Sequence, residues 1–102
     1  MAEIFRMPAV SPTMETGTIA AWRLQPGQSF TSGAVIAEVG TDKATMEAEI
    51  FDDGVLLAHV VAEGEDVPLN APMAIIGKAG EDFAGLLAAA REELAKTRGG
   101  AG

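Results

Sequence analysis

Apolar and polar residues alternate on either side of one short break in the chain. Val35, Ala37 and Val39 interleave with Ile36 and Glu38 before it; Met46, Ala48 and Ile50 interleave with Glu47 and Glu49 after it. A period of two is that of a strand with one face buried. The break itself reads Gly40-Thr41-Asp42-Lys43, and Gly and Asp tolerate or stabilise turn dihedrals. The pattern predicts a β-hairpin with Lys43 at its apex. An exposed lysine in a turn is ordinarily a solubilising charge, so position alone assigns it no role.

A repeat gives the lysine a place in the fold. Gly17, Gly27 and Gly40 recur as Gly54, Gly64 and Gly77, each 37 residues on, and Ala21, Ala34 and Ala37 recur as Ala58, Ala71 and Ala74. Composition alone predicts roughly two such identities where six occur. Apolar positions agree too, as in Ile19/Leu56, Phe30/Val67, Ile36/Met73 and Val39/Ile76. Glu3-Ile4-Phe5 echoes Glu49-Ile50-Phe51 at an offset of 46, which would put nine extra residues in the first half, within "RMPAVSPTMET". Each half reads as short strands separated by Gly, Pro and Asp. That predicts an all-β fold of two small antiparallel sheets packed face to face. The Lys43 hairpin should project at one end, both chain ends lying at the other, with the long connection beside the lysine.

Composition narrows the chemistry. The 102 residues suffice for one domain with a modest core. No apolar run is long enough to span a bilayer and no leader precedes the first strand, so a soluble, mature chain is expected. The net charge of −8 argues against nucleic acid or an anionic membrane as partner. With no cysteine and one histidine, His59, the chain offers no thiol nucleophile, no disulfide and no His-rich metal site. Any redox chemistry would have to be carried by an attached group, and an enzyme acting alone is not expected.

The stretches "MPAVSPTMETGTIAAW", "GTDKATMEAEI" and "GVLLAHVVAEGEDVPLNAPMAIIG" closely resemble the lipoyl domain of 2-oxoacid dehydrogenase complexes, from about Glu3 to Lys78. Asp42-Lys43-Ala44 and Gly33 carry much of the likeness. The first-loop wording looks most like pyruvate dehydrogenase acyltransferases, whereas Gly40 stands where the family is often acidic. The resemblance implies a flattened barrel or sandwich of two four-stranded sheets with pseudo-two-fold symmetry. It also implies lipoic acid in amide linkage on Lys43. The arm would accept an acyl group from a thiamine-diphosphate-dependent decarboxylase, deliver it to coenzyme A at an acyltransferase core, and be reoxidised by a flavin-containing dihydrolipoyl dehydrogenase. A lipoate ligase or lipoyl transferase would install it. The implied compartment is the bacterial cytoplasm or the mitochondrial matrix, and the isolated domain should be monomeric.

Single bonds of ~1.5 Å would place the dithiolane roughly a dozen ångströms from the backbone, so a rigid hairpin fixes the base while the tether sweeps. Free Lys43 should stay protonated among Asp42, Glu38, Glu47 and Glu49, leaving its activation to the modifying enzyme. Asp42 serves the turn, recognition, or both. Ala44 is small enough for close approach. Val10, Ser11, Pro12, Thr13, Met14 and Glu15 form the enlarged loop and are candidates for partner discrimination. Trp22 and His59 align in the repeat and read as packing residues. Asp52-Asp53-Gly54 reads as a turn, Lys78 aligns with Thr41 rather than Lys43, and the methionines read as core filler. Rival readings are a biotinyl carrier, against which Asp42 and Ala44 stand in place of flanking methionines, and an unmodified hairpin used for assembly.

From Asp82 the period changes. Phe83, Leu86, Leu87, Ala90 and Leu94 follow helical spacing, Glu92 and Lys96 suit a surface pair, and Gly99-Gly100 ends the helix. The carrier domain is expected over 1–80, with 81–102 as a helical tail or the start of an inter-domain linker.

Overall fold

The computed structural model describes residues 2–9, 15–41 and 44–99. Eight strands and one helix follow in order: β1 (Glu3–Arg6), β2 (Thr16–Trp22), β3 (Ser29–Phe30), β4 (Ala34–Gly40), β5 (Thr45–Ile50), β6 (Gly54–His59), β7 (Asp66–Pro68), β8 (Pro72–Gly77) and α1 (Ala84–Gly99). They form two antiparallel four-stranded sheets, β1-β8-β6-β3 and β5-β4-β2-β7. Advancing every strand of the first sheet by four, modulo eight, generates the second. The expected sandwich and its pseudo-two-fold are therefore present, and each sheet draws two strands from each half of the repeat.

The symmetry reaches single hydrogen bonds. Gly27 N–H donates to Leu56 O at 2.7 Å, and Gly64 N–H to Ile19 O at 2.7 Å. Gly27 and Gly64 share a left-handed backbone, φ 91° and 90°, which glycine adopts without steric penalty. Gly33, at φ 93°, has as its mate Asn70, at φ 71°. Trp22 and His59 are mates that touch: their rings stack with centroids 3.9 Å apart and planes 8° from parallel. A residue can stack on its own mate only at the symmetry axis, so this pair marks it. Trp22 Nε1–H donates to Val61 O at 3.1 Å. His59 Nε2 lies 2.8 Å from the mate carbonyl, Leu24 O, which can only accept, so that nitrogen carries the proton.

One expectation is corrected. Glu3 pairs with Ile76 while Met46 pairs with Val39, and Ile4 pairs with Ile75 while Glu47 pairs with Glu38. Since Val39/Ile76 and Glu38/Ile75 are mates, β1 and β5 correspond at an offset of 43, not 46. The first half thus carries six extra residues between its first two strands rather than nine, and the echo of Glu-Ile-Phe is coincidence. The true mates Met7 and Ile50 are both 1% exposed.

The core lies between the sheets and is built from mated apolar residues, Ile19 with Leu56 and Ile36 with Met73 among them, all fully buried. The alternation along β4 breaks because its pairing with β5 shifts register between Val35 and Ala37, so that Ile36 and Ala37 are both buried. Met7 and Met73 are core residues as expected, but Met46 is 40% exposed on the edge strand β5.

Helix α1 packs on β8 and reaches β1 and β7. Ala90 and Leu94 join the same buried cluster as the sandwich, with Leu86, Leu87 and Phe83 partly buried against it. The repeat shows what the helix covers. Val35 and Glu38 of β4 face outward and are partly exposed; their mates Pro72 and Ile75 of β8 are fully buried. The pair expected on the helix surface forms, Lys96 Nζ lying 3.4 Å from Glu92 Oε1 with both side chains open to water.

Candidate functional site

Strands β4 and β5 deliver the chain to the predicted apex. Gly40 pairs with Thr45, and beyond them Thr41 N–H donates to Ala44 O at 2.8 Å. The Thr41 hydroxyl donates to the same carbonyl at 2.9 Å and accepts from Ala44 N–H at 3.2 Å. Three bonds thus tie Thr41 to Ala44 across the two residues between them. Those two are Asp42 and Lys43, which lie outside the described residues, as do Val10, Ser11, Pro12, Thr13 and Met14 of the loop. Thr41 is the closing residue that sequence reading missed. Its signal was a hydroxyl placed two residues before Lys43, where it can satisfy turn backbone.

Strand registers locate this apex. The start of β1 and the end of β8 meet, Glu3 pairing with Ile76 and Gly77 with Val55. Only three residues join Phe30, at that end, to Ala34, at the end of β4 far from the apex. Three more join Ile50, also far from the apex, to Gly54 at the same end as Phe30. The apex is therefore opposite the start of β1 and the end of β8, as the repeat predicted, but the expectation fails for the C-terminal side, because α1 runs back along β8 and brings Glu93 to Arg6 and the Asn70 turn at the apex end.

The start of β2 also reaches the apex pole. Thr18 pairs with Gly40 on one side and with Asp66 on the other, and its hydroxyl donates to Asp66 Oδ1 at 2.6 Å. Thr16, Thr18, Gly40, Thr41 and Asp66 line an open cleft there of about 500 Å³. Glu15, the described end of the enlarged loop, is exposed and its carbonyl accepts from Leu69 N–H at 2.9 Å. Among the loop candidates, the structure thus brings Glu15 to the apex side. Ala44 is exposed, leaving its side of the turn open to an approaching partner.

Acidic residues crowd the outward face of this sheet. Glu38 stands directly across from Glu47, a like-charge pair that costs stability on its own. Arg23 offsets it, with Nε 2.5 Å from Glu38 Oε2. The opposite pole carries the symmetry-related turn without a lysine at its tip. Glu81 N–H donates to Lys78 O at 3.1 Å, and Lys78 N–H donates back to Glu81 Oε1 at 2.9 Å, which holds that carboxyl below the usual range. Its tip is Ala79-Gly80, and Lys78 is the mate of Thr41, as the sequence indicated. Asp53 also acts in turn architecture, accepting from Ser32 N–H at 2.8 Å. Among the described residues no cluster of His, Asp and Glu is arranged to hold a metal ion.

A protein-family model described as "Biotin-requiring enzyme", of the biotin/lipoyl type, matches residues 3–76. The dihydrolipoyllysine-residue acetyltransferase component of the pyruvate dehydrogenase complex of Rhizobium meliloti is 51% identical over 79 residues, 76% of this chain and 18% of that protein. The pyruvate dehydrogenase E1 component subunit beta of the same organism is 49% identical over 76 residues, 74% of this chain and 16% of that one. The chain thus spans less than a fifth of either relative. Among solved structures, the lipoyl domain of the 2-oxoglutarate dehydrogenase complex of Azotobacter vinelandii is 28% identical, with TM-score 0.59, covering 76% of this chain and all of that one. A multi-domain long-chain acyl-CoA carboxylase, 17% identical with TM-score 0.59, shares the fold over 83% of this chain and 8% of its own. A β4–β5 hairpin closed by Thr41 and Ala44 at the pole remote from Glu3 and Gly77, the internal two-fold and the match over residues 3–76 together make this chain a member of the biotin/lipoyl carrier family.

Proposed function

We propose that the chain is a lipoyl carrier domain, modified on Lys43 and serving a pyruvate dehydrogenase complex. The observation that carries the reading is the Thr41–Ala44 closure at the pole opposite Glu3 and Gly77, in a chain 51% identical over 79 residues to a dihydrolipoyllysine-residue acetyltransferase component. The residues present fit such a group. A closure by one threonine and one exposed alanine presents no bulk beside the tip, so a modifying enzyme can enclose it. When bound, the lipoyl group supplies a dithiolane whose disulfide is reduced as it takes up an acyl group. This chain contributes a stiff base, an acidic flank from Glu38, Glu47 and Glu49, and a surface for partners formed by Glu15 and the β2 end of the apex pole.

The proposed partners are a thiamine-diphosphate-dependent dehydrogenase component, an acyltransferase core, a dihydrolipoyl dehydrogenase and a lipoate ligase or lipoyl transferase. The likeness extends to a dehydrogenase beta subunit as well as to acetyltransferases, so the carrier role rests on the domain and not on one host polypeptide. The family model also covers biotin carriers, and the residues flanking Lys43, Asp42 and Ala44, favour the lipoyl reading. Intact mass after expression with lipoate decides between them. A lipoyl increment that disappears in Lys43→Ala supports the proposal; a biotinyl increment, or none, overturns it.

A further inference from the structure

Two features break the two-fold: the enlarged β1–β2 connection and the helix laid on β8. They meet at one residue. Arg6 ends β1, and the connection starts at Met7. The Arg6 guanidinium donates to both carboxylate oxygens of Glu93 on α1, at 2.5 and 3.2 Å, and to Asn70 O at 3.2 Å. Asn70 N–H in turn donates to Met7 O at 3.0 Å, and Met7 N–H to Ala71 O at 2.9 Å. The other foot of the connection is tied to the same turn, Leu69 N–H donating to Glu15 O at 2.9 Å. In the second half the mate of Arg6 is the exposed Glu49, which has no helix beside it among the described residues, and the connection there is only residues 51–53.

Resting on the carrier reading above, we propose that α1 is a brace for the partner-facing end of the molecule. Arg6 and Glu93 are its positioning residues: they fix the turn around Asn70, and through it both feet of the β1–β2 connection at Met7 and Glu15. The pair suits a geometric role. Its side chains are 39% and 43% exposed, where an ion pair contributes little to global stability, but the two-pronged geometry fixes direction. The brace bears on the partner that reads this end, the thiamine-diphosphate-dependent component, and not on attachment at the hairpin.

The test uses the whole lipoylated chain with labelled pyruvate and the thiamine-diphosphate component of a bacterial pyruvate dehydrogenase complex. In Glu93→Gln the KM for the carrier rises roughly threefold to tenfold with kcat unchanged, while lipoylation by a lipoate ligase proceeds at the wild-type rate. The swapped pair Arg6→Glu with Glu93→Arg brings KM back to within about twofold, and Glu92→Gln, on the exposed helix face, changes nothing. An unchanged KM in Glu93→Gln, an equal loss of lipoylation, or a swap that folds without restoring KM overturns the brace. Should the wild-type lipoylated chain accept no acyl group, the carrier reading fails instead. The brace is then judged by NMR: amide signals of Met7, Glu15 and Asn70 must move in Glu93→Gln and stay put in Glu92→Gln, and unmoved signals in both overturn it.

Discussion

Replacing Leu94 with alanine measures whether α1 belongs to the folded unit. Leu94 is 3% exposed and lies in the cluster that includes the fully buried Ile75 and Ala90. The change removes three carbons, worth about 2.4 kcal/mol at ~0.8 kcal/mol per buried CH₂. A cavity contribution adds to this, but a helix on an outer sheet face can settle inward, so the expected loss is about 2.5–3 kcal/mol, near the low end for Leu→Ala. For a chain of this size that is a fall in Tm of about 10–20 °C. Urea and thermal denaturation give the global figure. Hydrogen exchange of the β8 amides shows whether the helix lifts away before the sheets open. The control is Leu69→Ala, at a residue 43% exposed, which should cost well under about 1 kcal/mol. A Leu94→Ala loss below about 1 kcal/mol, with β8 exchange unchanged, would refute the packing argument.

Three further outcomes are expected. Glu93 is held below the usual carboxylate range by the Arg6 hydrogen bond, so its stabilising contribution is full above the unfolded value of about 4.3 and lost as pH falls through the lower folded value. The denaturation midpoints of wild type and Glu93→Gln should therefore converge between neutral pH and about pH 3, and a constant gap would contradict the assignment. Gly33→Ala, at φ 93°, should cost about 1–2 kcal/mol by urea titration, whereas Asn70→Gly at the mated position stays within about 0.5 kcal/mol. His59→Phe keeps a ring on Trp22 but leaves Leu24 O without its donor, costing about 1 kcal/mol with lipoylation unchanged; slower lipoylation would show that His59 serves the site.

The repeat was legible because small residues stand where backbones must turn or approach, and glycine and alanine recur at those mated positions. The correspondence of β1 with β5 was not. At the true offset Glu3 matches Met46, Ile4 matches Glu47 and Arg6 matches Glu49, since one strand leans on a helix and the other faces water. The helix itself could be read from its period, and its docking was latent in the replacement of Glu38 by Ile75 across the repeat. Pairing shifts such as the one between Val35 and Ala37 leave no mark in composition, so the alternation there misleads. At the site, the strands flanking the turn could be placed from the alternation, Gly40 pairing with Thr45 where the pattern breaks. Thr41 left a signal in its hydroxyl, but its paired bonds to Ala44 and the Arg6–Glu93 contact could not be read, because hydroxyl geometry and an ion pair spanning most of the chain are set only by the assembled fold.

Interleaving of the two halves has a consequence for how the protein is made. Strand β8 lies between β1 and β6, and β7 closes the other sheet, so neither layer is complete until residues 66–77 have left the ribosome. The emerging first half holds four strands belonging to two different layers, of which only β2 and β4 pair with each other, while β1 and β3 await β8 and β6. Acquisition of native order should therefore be abrupt, with the long-range closures deferred until residues 66–77 have emerged.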